Sequence, residues 1–164
     1  MSQYVIRLQL QPFIAAWLRS HYGDPVTFPA RSAESLAVRR LTVSRRSDAE
    51  RLYGERQLES GMTTVEVSVP DCSYKRASTF HYLSRRGRRR LTQMVDDLFQ
   101  ADLFGQLTSR TARGSLLKDA VWDWCMASGI APDHTDTIRQ RFYRMRESHK
   151  QCGLATSPVS TAKR

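Results

Sequence analysis

Long apolar runs are missing from this 164-residue chain. No stretch approaches the roughly 18 consecutive apolar residues that a membrane-spanning helix requires, so no membrane association is expected. The opening Met1-Ser2-Gln3-Tyr4-Val5 lacks the basic and apolar regions of a secretory signal, which makes a cytoplasmic location the expectation. Cysteine is scarce. Cys72, Cys125 and Cys152 are odd in number and far apart, which argues against a disulfide framework and suits free thiols in a reducing compartment. Lysine is scarcer than its partner in charge, at 4 residues against 22 arginines.

What the chain does have is positive charge, unevenly placed. Its net charge is +10, with 26% charged and 40% hydrophobic residues, a balance that fits a folded protein rather than a disordered one. Residues 1–74 carry nine arginines against eight acids, whereas residues 75–164 carry seventeen lysines and arginines against eight acids. Arginine presents a planar fork that grips phosphate or a guanine edge with two bonds, where lysine acts as a point charge. A GC-rich coding sequence also produces an arginine surplus.

Hydropathy patterning predicts an α+β fold. Tyr4–Leu10 alternates, with Tyr4, Ile6, Leu8 and Leu10 on the inner face. Phe13, Ile14, Trp17, Leu18 and His21 then recur at helical spacing behind Pro12, and Gly23 is a natural stop. Asp24–Pro29 reads as a turn and an edge strand, and Ser32 as the cap of a helix carrying Leu36, Ala37 and Leu41, with an extended Leu36–Val43 as the other option. Ser47 and Glu50 have capping-box spacing in a polar stretch that suits a short helix or a mobile loop. Thr63–Val69 alternates with Val65, Val67 and Val69 inward and is the natural partner of the first strand, and Asp71–Ser84 reads as an irregular connection. A helix is predicted from about Arg88, with Leu91, Met94, Val95, Leu98 and Phe99 in its stripe and Gly105 at its end; Thr108–Gly114 follows as a linker. Ser115 would cap a helix with Leu117, Ala120, Val121, Trp124 and Cys125. After a turn at Gly129–Asp133 comes a last helix with Ile138, Phe142 and Met145. The expected organisation is a small antiparallel-containing sheet covered by helices (residues 1–107), a helical hairpin resembling a helix-turn-helix (108–150) and a disordered tail from Gln151 (151–164).

Two features carry the candidate chemistry. The first is Lys75–Arg90, in which Lys75, Arg76, Arg85, Arg86, Arg88, Arg89 and Arg90 meet no acid and surround Phe80, His81 and Tyr82. Such cations release counterions from a polyphosphate, and exposed aromatics stack on bases. If Arg88–Arg90 open a helix, they sit at the positive end of its dipole at a cost of about 0.3–1 kcal/mol each, which a bound anion would offset. The competing reading is a solvated loop whose aromatics pack on the core. The second feature is the C-terminal helix pair. On its last helix Arg139, Gln140, Tyr143 and Arg144 lie away from the apolar stripe, where they could approach a major groove; helix hairpins are equally common in proteins that bind nothing.

Catalytic and metal constellations are poor. Asp96 and Asp97 are adjacent and diverge on a helix, so with Asp102 they read as a solvated face rather than a Mg²⁺ site. Cys125, His134, His149 and Cys152 lack zinc-site spacing, and His81 with Tyr82 or Ser84 is too close in sequence for a nucleophile–base pair. Neither a Gly-rich phosphate loop nor a Gly-x-Ser-x-Gly elbow is present. No cofactor, no metal and no enzymatic activity are expected.

Tyr4-Val5-Ile6-Arg7, Pro12-Phe13-x-x-x-Trp17-Leu18-Arg19-x-His21, Pro25-Val26-x-Phe28-Pro29 with Ser32-Ala33-Glu34, and Trp124-Cys125-Met126-Ala127-Ser128-Gly129-Ile130 carry a resemblance. Over most of residues 4–147 the chain resembles small basic proteins of prophages and mobile elements of gut Bacteroidales, a group that brings no activity with it. Gly23-Asp24-Pro25-Val26-Thr27-Phe28-Pro29 and the helix pair after Ser115 more faintly resemble the middle-operon activators of Mu-like phages. Those activators join a small dimerising domain to a C-terminal helix-turn-helix, although the distance from turn to second helix is longer here. The resemblance implies transcription regulation in a mobile element. The expected function is non-enzymatic binding of DNA, double-stranded in the first instance, as a regulator or accessory factor. The alternative is a protein-interaction module whose basic face meets an acidic host protein. Exposed sheet edges or Trp122 would serve a homodimer.

Overall fold

The computed structural model describes residues 4–44 and 61–155. Ser47 and Glu50 lie outside them. In chain order the elements are β1 (Val5–Leu10), α1 (Pro12–Tyr22), α2 (Ala33–Leu41), β2 (Thr42–Val43), β3 (Thr63–Ser68), β4 (Tyr82–Leu83), α3 (Arg85–Ala112), α4 (Leu117–Ala127), a 3-10 turn at Pro132–His134 and α5 (Thr135–Ala155). This is a mixed α+β fold with a helical C-terminal region. No described helix is long and apolar enough to cross a membrane.

The chain forms two compact units. One takes in residues up to Ala101 together with Ser128–Ile130, and the other Asp102–Ala127 with the residues from Ala131 onward. In the first unit β1 and β3 pair antiparallel, with Ile6 opposite Val67 and Leu8 opposite Val65. Alternation turns Ile6, Leu8, Leu10, Val65, Val67 and Val69 into the core, as the pattern predicts. Helix α1 starts at Pro12 and ends where Gly23, at φ +83°, donates its N–H to the Arg19 carbonyl. It buries Phe13, Ile14, Trp17 and Leu18, and Phe99 of α3 meets the Phe13 ring at 5.6 Å and the Trp17 ring edge-on at 5.5 Å. Such aromatic pairs add about 0.5–1.5 kcal/mol beyond their burial.

Ser32 caps α2 by accepting the Ser35 N–H at 3.1 Å. The helix gives way at Leu41 to β2, which pairs with β4, so Leu36–Val43 is helical and then extended. The expected edge strand after Pro25 shrinks to one parallel bridge between Val26 and Val67. The predicted irregular connection 71–84 contains β4 and a Cys72–Lys75 bridge.

Three boundaries differ from the sequence reading. Helix α3 neither starts at Arg88 nor ends at Gly105; it runs from Arg85 to Ala112 through the expected linker. A mid-helix glycine costs about 1 kcal/mol, but Leu103 and Leu107 on either side of Gly105 are fully buried, and each burial contributes about 1.5–3 kcal/mol. The stop is Gly114, at φ +93°. Helix α4 begins at Leu117 with the Leu116 carbonyl accepting the Ala120 N–H, so Ser115 is not its cap. Helix α5 continues to Ala155, past the expected start of the tail at Gln151, because residues 151–155 hold no proline and each added residue closes one more bond. The last nine residues lie outside the described ones.

The second unit buries Leu103 and Leu107 of α3, Val121, Trp124 and Cys125 of α4, and Ile138 and Phe142 of α5, with Phe104 stacked on His149 at 4.3 Å. Burial pushes the Cys125 thiol up to about 11. Its folded value exceeds its unfolded one, so the stability it lends is present below about pH 9 and is lost as pH rises through 11. Wild-type protein should therefore lose stability between pH 9 and 11 more steeply than Cys125→Ala, measured by urea unfolding at each pH.

Gly87 is where α3 meets the end of α2: a Cβ there would lie 3.0 Å from the Leu41 carbonyl oxygen. Gly87→Ala gains about 1 kcal/mol of helix propensity and incurs about 1–3 kcal/mol of overpacking. A lower melting temperature is expected; a raised one would mean that the two helix ends separate freely.

Candidate nucleic-acid interface

The start of α3 is built by Ser84. Its hydroxyl accepts the Gly87 N–H at 3.0 Å and its carbonyl accepts the Arg88 N–H at 2.9 Å. The cap places Arg85 and Arg86 in the first turn, which holds no acid, and Arg88, Arg89 and Arg90 in the second. One amide that would have met an anion, that of Gly87, is therefore already bonded, and the positive surface here consists mainly of side chains.

At 100° per residue, Arg85, Arg86, Arg89 and Arg90 span an arc of about 140° on one side of α3, while Gly87, Leu91 and Val95 mark the other. All four arginines are exposed, and among the described residues none has a carboxylate partner. The first acids of the helix, Asp96 and Asp97, come two turns later, and Asp97 accepts from Gln93 at 2.9 Å. Like charges at i, i+3 and i, i+4 cost about 0.2–0.5 kcal/mol per pair. Among the described residues nothing negative offsets that repulsion.

The remaining sequence-predicted cations divide. Arg88 turns back, donating from Nη1 to the Arg7 carbonyl of β1 at 3.2 Å. Lys75 is a correction. Its ammonium donates to the carbonyls of Arg39 and Thr42, the latter at 2.6 Å, and so satisfies the C-terminal end of α2 instead of facing solvent. Burial, the largest influence, lowers its pKa, against an opposing pull from Cys72 and with a smaller contribution from Arg39 in the same direction. Arg76 is exposed on a loop that Asp71 organises by accepting the N–H groups of Cys72 and Ala77.

In the second unit Gln140, Tyr143 and Arg144 are exposed on one side of α5, whereas Arg139 is paired with Asp136 at 2.9 Å. The connection from α4 to α5, Ser128 to His134, is longer than the three or four residues of a DNA-reading helix-turn-helix, and Ser128–Ile130 belongs to the first unit. This helix pair is not joined by the tight turn that the sequence suggested. Among the described residues no group of three or more His, Cys, Asp or Glu is arranged to hold a metal ion.

Sequence reasoning missed Tyr4, Tyr74 and Arg39. Strand alternation placed Tyr4 inward, yet it sits at the exposed end of its row, 5.0 Å from the His81 ring. Arg39 lies over the ring of the exposed Tyr74 at 5.3 Å, a pairing that no local pattern could disclose.

Comparison with protein-family models, curated proteins and solved structures finds no match to this chain.

Lys75→Met keeps the stem and removes the donor. It should cost about 1–3 kcal/mol of folding stability by removing the ammonium donor from the Thr42 carbonyl, while the Arg39 carbonyl keeps the Thr42 hydroxyl at 3.1 Å. The salt dependence of any nucleic-acid binding should stay unchanged, as read from DNA titrations at several salt concentrations.

Proposed function

We propose that the protein is a non-enzymatic DNA-binding protein that grips the sugar-phosphate backbone through the outer face of α3. A role as regulator or accessory factor of a phage or mobile element follows from the sequence resemblance. The observation that supports this reading is the set of four exposed arginines on one helix face with no described carboxylate to neutralise them. Guanidinium groups on such a face match phosphate oxygens with two bonds each and release counterions on contact. Backbone contacts position a protein without reading sequence; Gln140, Tyr143 and Arg144 on α5 are the residues that would address base edges.

An exposed apolar set in the second unit favours a second reading, the protein-interaction module. Trp122 is 49% exposed, with Leu116 and Met126 also exposed, and Trp122 borders a cleft of about 280 Å³ lined by Lys118, Val121, Asp136 and Arg139. A partner protein or a second copy of the chain would fit there, with no requirement on the α3 face.

DNA titrations at rising salt separate the two. Replacing Arg85, Arg86, Arg89 and Arg90 by alanine should weaken binding to every sequence and reduce the slope of log K against log salt by about 0.9 for each phosphate that is no longer neutralised. Arg144→Ala should relax preference at one base position by about 1–3 kcal/mol without a comparable loss elsewhere. An unchanged slope in the arginine variant overturns the assignment, and no binding at low salt leaves the protein-interaction reading.

A further inference from the structure

Three rings in the unit that carries the start of α3 follow one another as a tilted pile. His81 lies between two tyrosines, 5.0 Å from the Tyr4 ring and 4.4 Å from the Tyr82 ring, with interplanar angles of 32° and 34°. Each tyrosine remains 37% exposed. The pile is held by backbone: the His81 Nδ1–H donates to the Ala77 carbonyl at 2.8 Å, the Tyr4 carbonyl accepts the Val69 N–H at 2.9 Å, and Tyr82 sits in β4 opposite Val43. It is also tied to α3 from two sides. Tyr82 precedes Arg85 by three residues, and the strand that begins after Tyr4 accepts the Arg88 hydrogen bond at Arg7.

The kind of exposed apolar group matters as much as its place. Among the described residues of this unit, the large apolar side chains left exposed are Tyr4, Tyr74 and Tyr82; in the second unit they are Leu116, Trp122, Met126 and Tyr143. Leu and Met make protein contacts. Three exposed tyrosines in the unit that carries the start of α3, whose outer arginines have no carboxylate partner among the described residues, offer flat rings and cations to ligands that are themselves flat and anionic. One of the tyrosines has Arg39 over its ring at 5.3 Å.

We propose that this surface binds single-stranded DNA in preference to duplex, with an unpaired base laid against the Tyr4–His81–Tyr82 pile and the neighbouring phosphates on Arg85, Arg86, Arg89 and Arg90. The inference rests on the DNA-binding reading above and adds the state of the DNA. A paired base inside a duplex has no face to offer a tyrosine, whereas stacking on protein aromatics is worth about 10-fold or more in affinity per unpaired base and tolerates any base.

The test is fluorescence anisotropy with a labelled oligothymidylate, a duplex of equal length and the corresponding oligouridylate, for four proteins. Wild type should bind the oligothymidylate most tightly. The pair Tyr4→Leu with Tyr82→Leu should weaken single-strand binding by about 10-fold or more while changing duplex binding little. Tyr4→Phe with Tyr82→Phe keeps the rings and should retain wild-type affinity. The four-arginine variant should lose all three ligands. Equal losses on single strand and duplex in the leucine pair, no loss on either, or tighter binding of duplex or of oligouridylate by wild type would each overturn the proposal, even where the arginine variant still upholds DNA binding. Failure of wild type to bind any of the three at low salt removes both readings. Photo-crosslinking of wild type to an oligonucleotide carrying 5-iododeoxyuridine needs no variant to fold: adducts at Tyr4, His81 or Tyr82 support the stack, and adducts confined to other residues refute it.

Discussion

The rotational phase of α3 decides what the arginines can do. Leu91, Val95, Phe99, Leu103 and Leu107 recur every four residues and are each fully buried, so the helix has one admissible orientation about its axis. That phase carries Arg85, Arg86, Arg89 and Arg90 outward together, and it places Gly87 against the Leu41 carbonyl, where a side chain would be too large. The glycine interrupting the arginine run is therefore part of the same constraint: it is the one position of the run that must face inward at close range. A basic stretch with the same composition but no apolar stripe behind it would have no face at all.

Seven cations between residues 75 and 90 look alike in sequence and behave in three ways in the fold. Lys75 satisfies carbonyls at the end of α2, Arg88 is bonded to β1, and the other five are exposed. The difference arises from position along elements rather than from chemistry. Lys75 follows a bridge at Cys72 that turns it toward the α2 carbonyls, and Arg88 falls on the core side of a helix whose start Ser84 fixes. Counting charges singled out the region and could not divide it.

Much of the fold was legible. Period-two alternation identified β1 and β3 and their inner rows, and helical spacing with Pro12, Gly23 and Ser32 identified α1 and α2. What was not legible has a common cause: local signals overruled by burial that only the fold supplies. Gly105 reads as a stop and is carried through because Leu103 and Leu107 flank it in the core; Ser115 reads as a cap and the helix starts beyond it. Of the candidate site, the arginine face was readable from composition. The ring pile was not, because it joins Tyr4 to His81 across most of the first unit's sequence.

The geometry also fixes which kind of recognition each surface can perform. With Ser84 occupying the Gly87 amide, the proposed contacts of the α3 face would run through guanidinium groups, which discriminate charge and spacing rather than base identity. Such a face attracts any polyphosphate, and selectivity has to come from groups that respond to something besides charge. Under the proposed reading the tyrosines would meet that need in the first unit, because stacking depends on whether a base is paired. Gln140, Tyr143 and Arg144 would meet it in the second, because their donors and acceptors depend on which base is present. The two proposals therefore call on different chemistry, one answering to the state of the nucleic acid and one to its sequence.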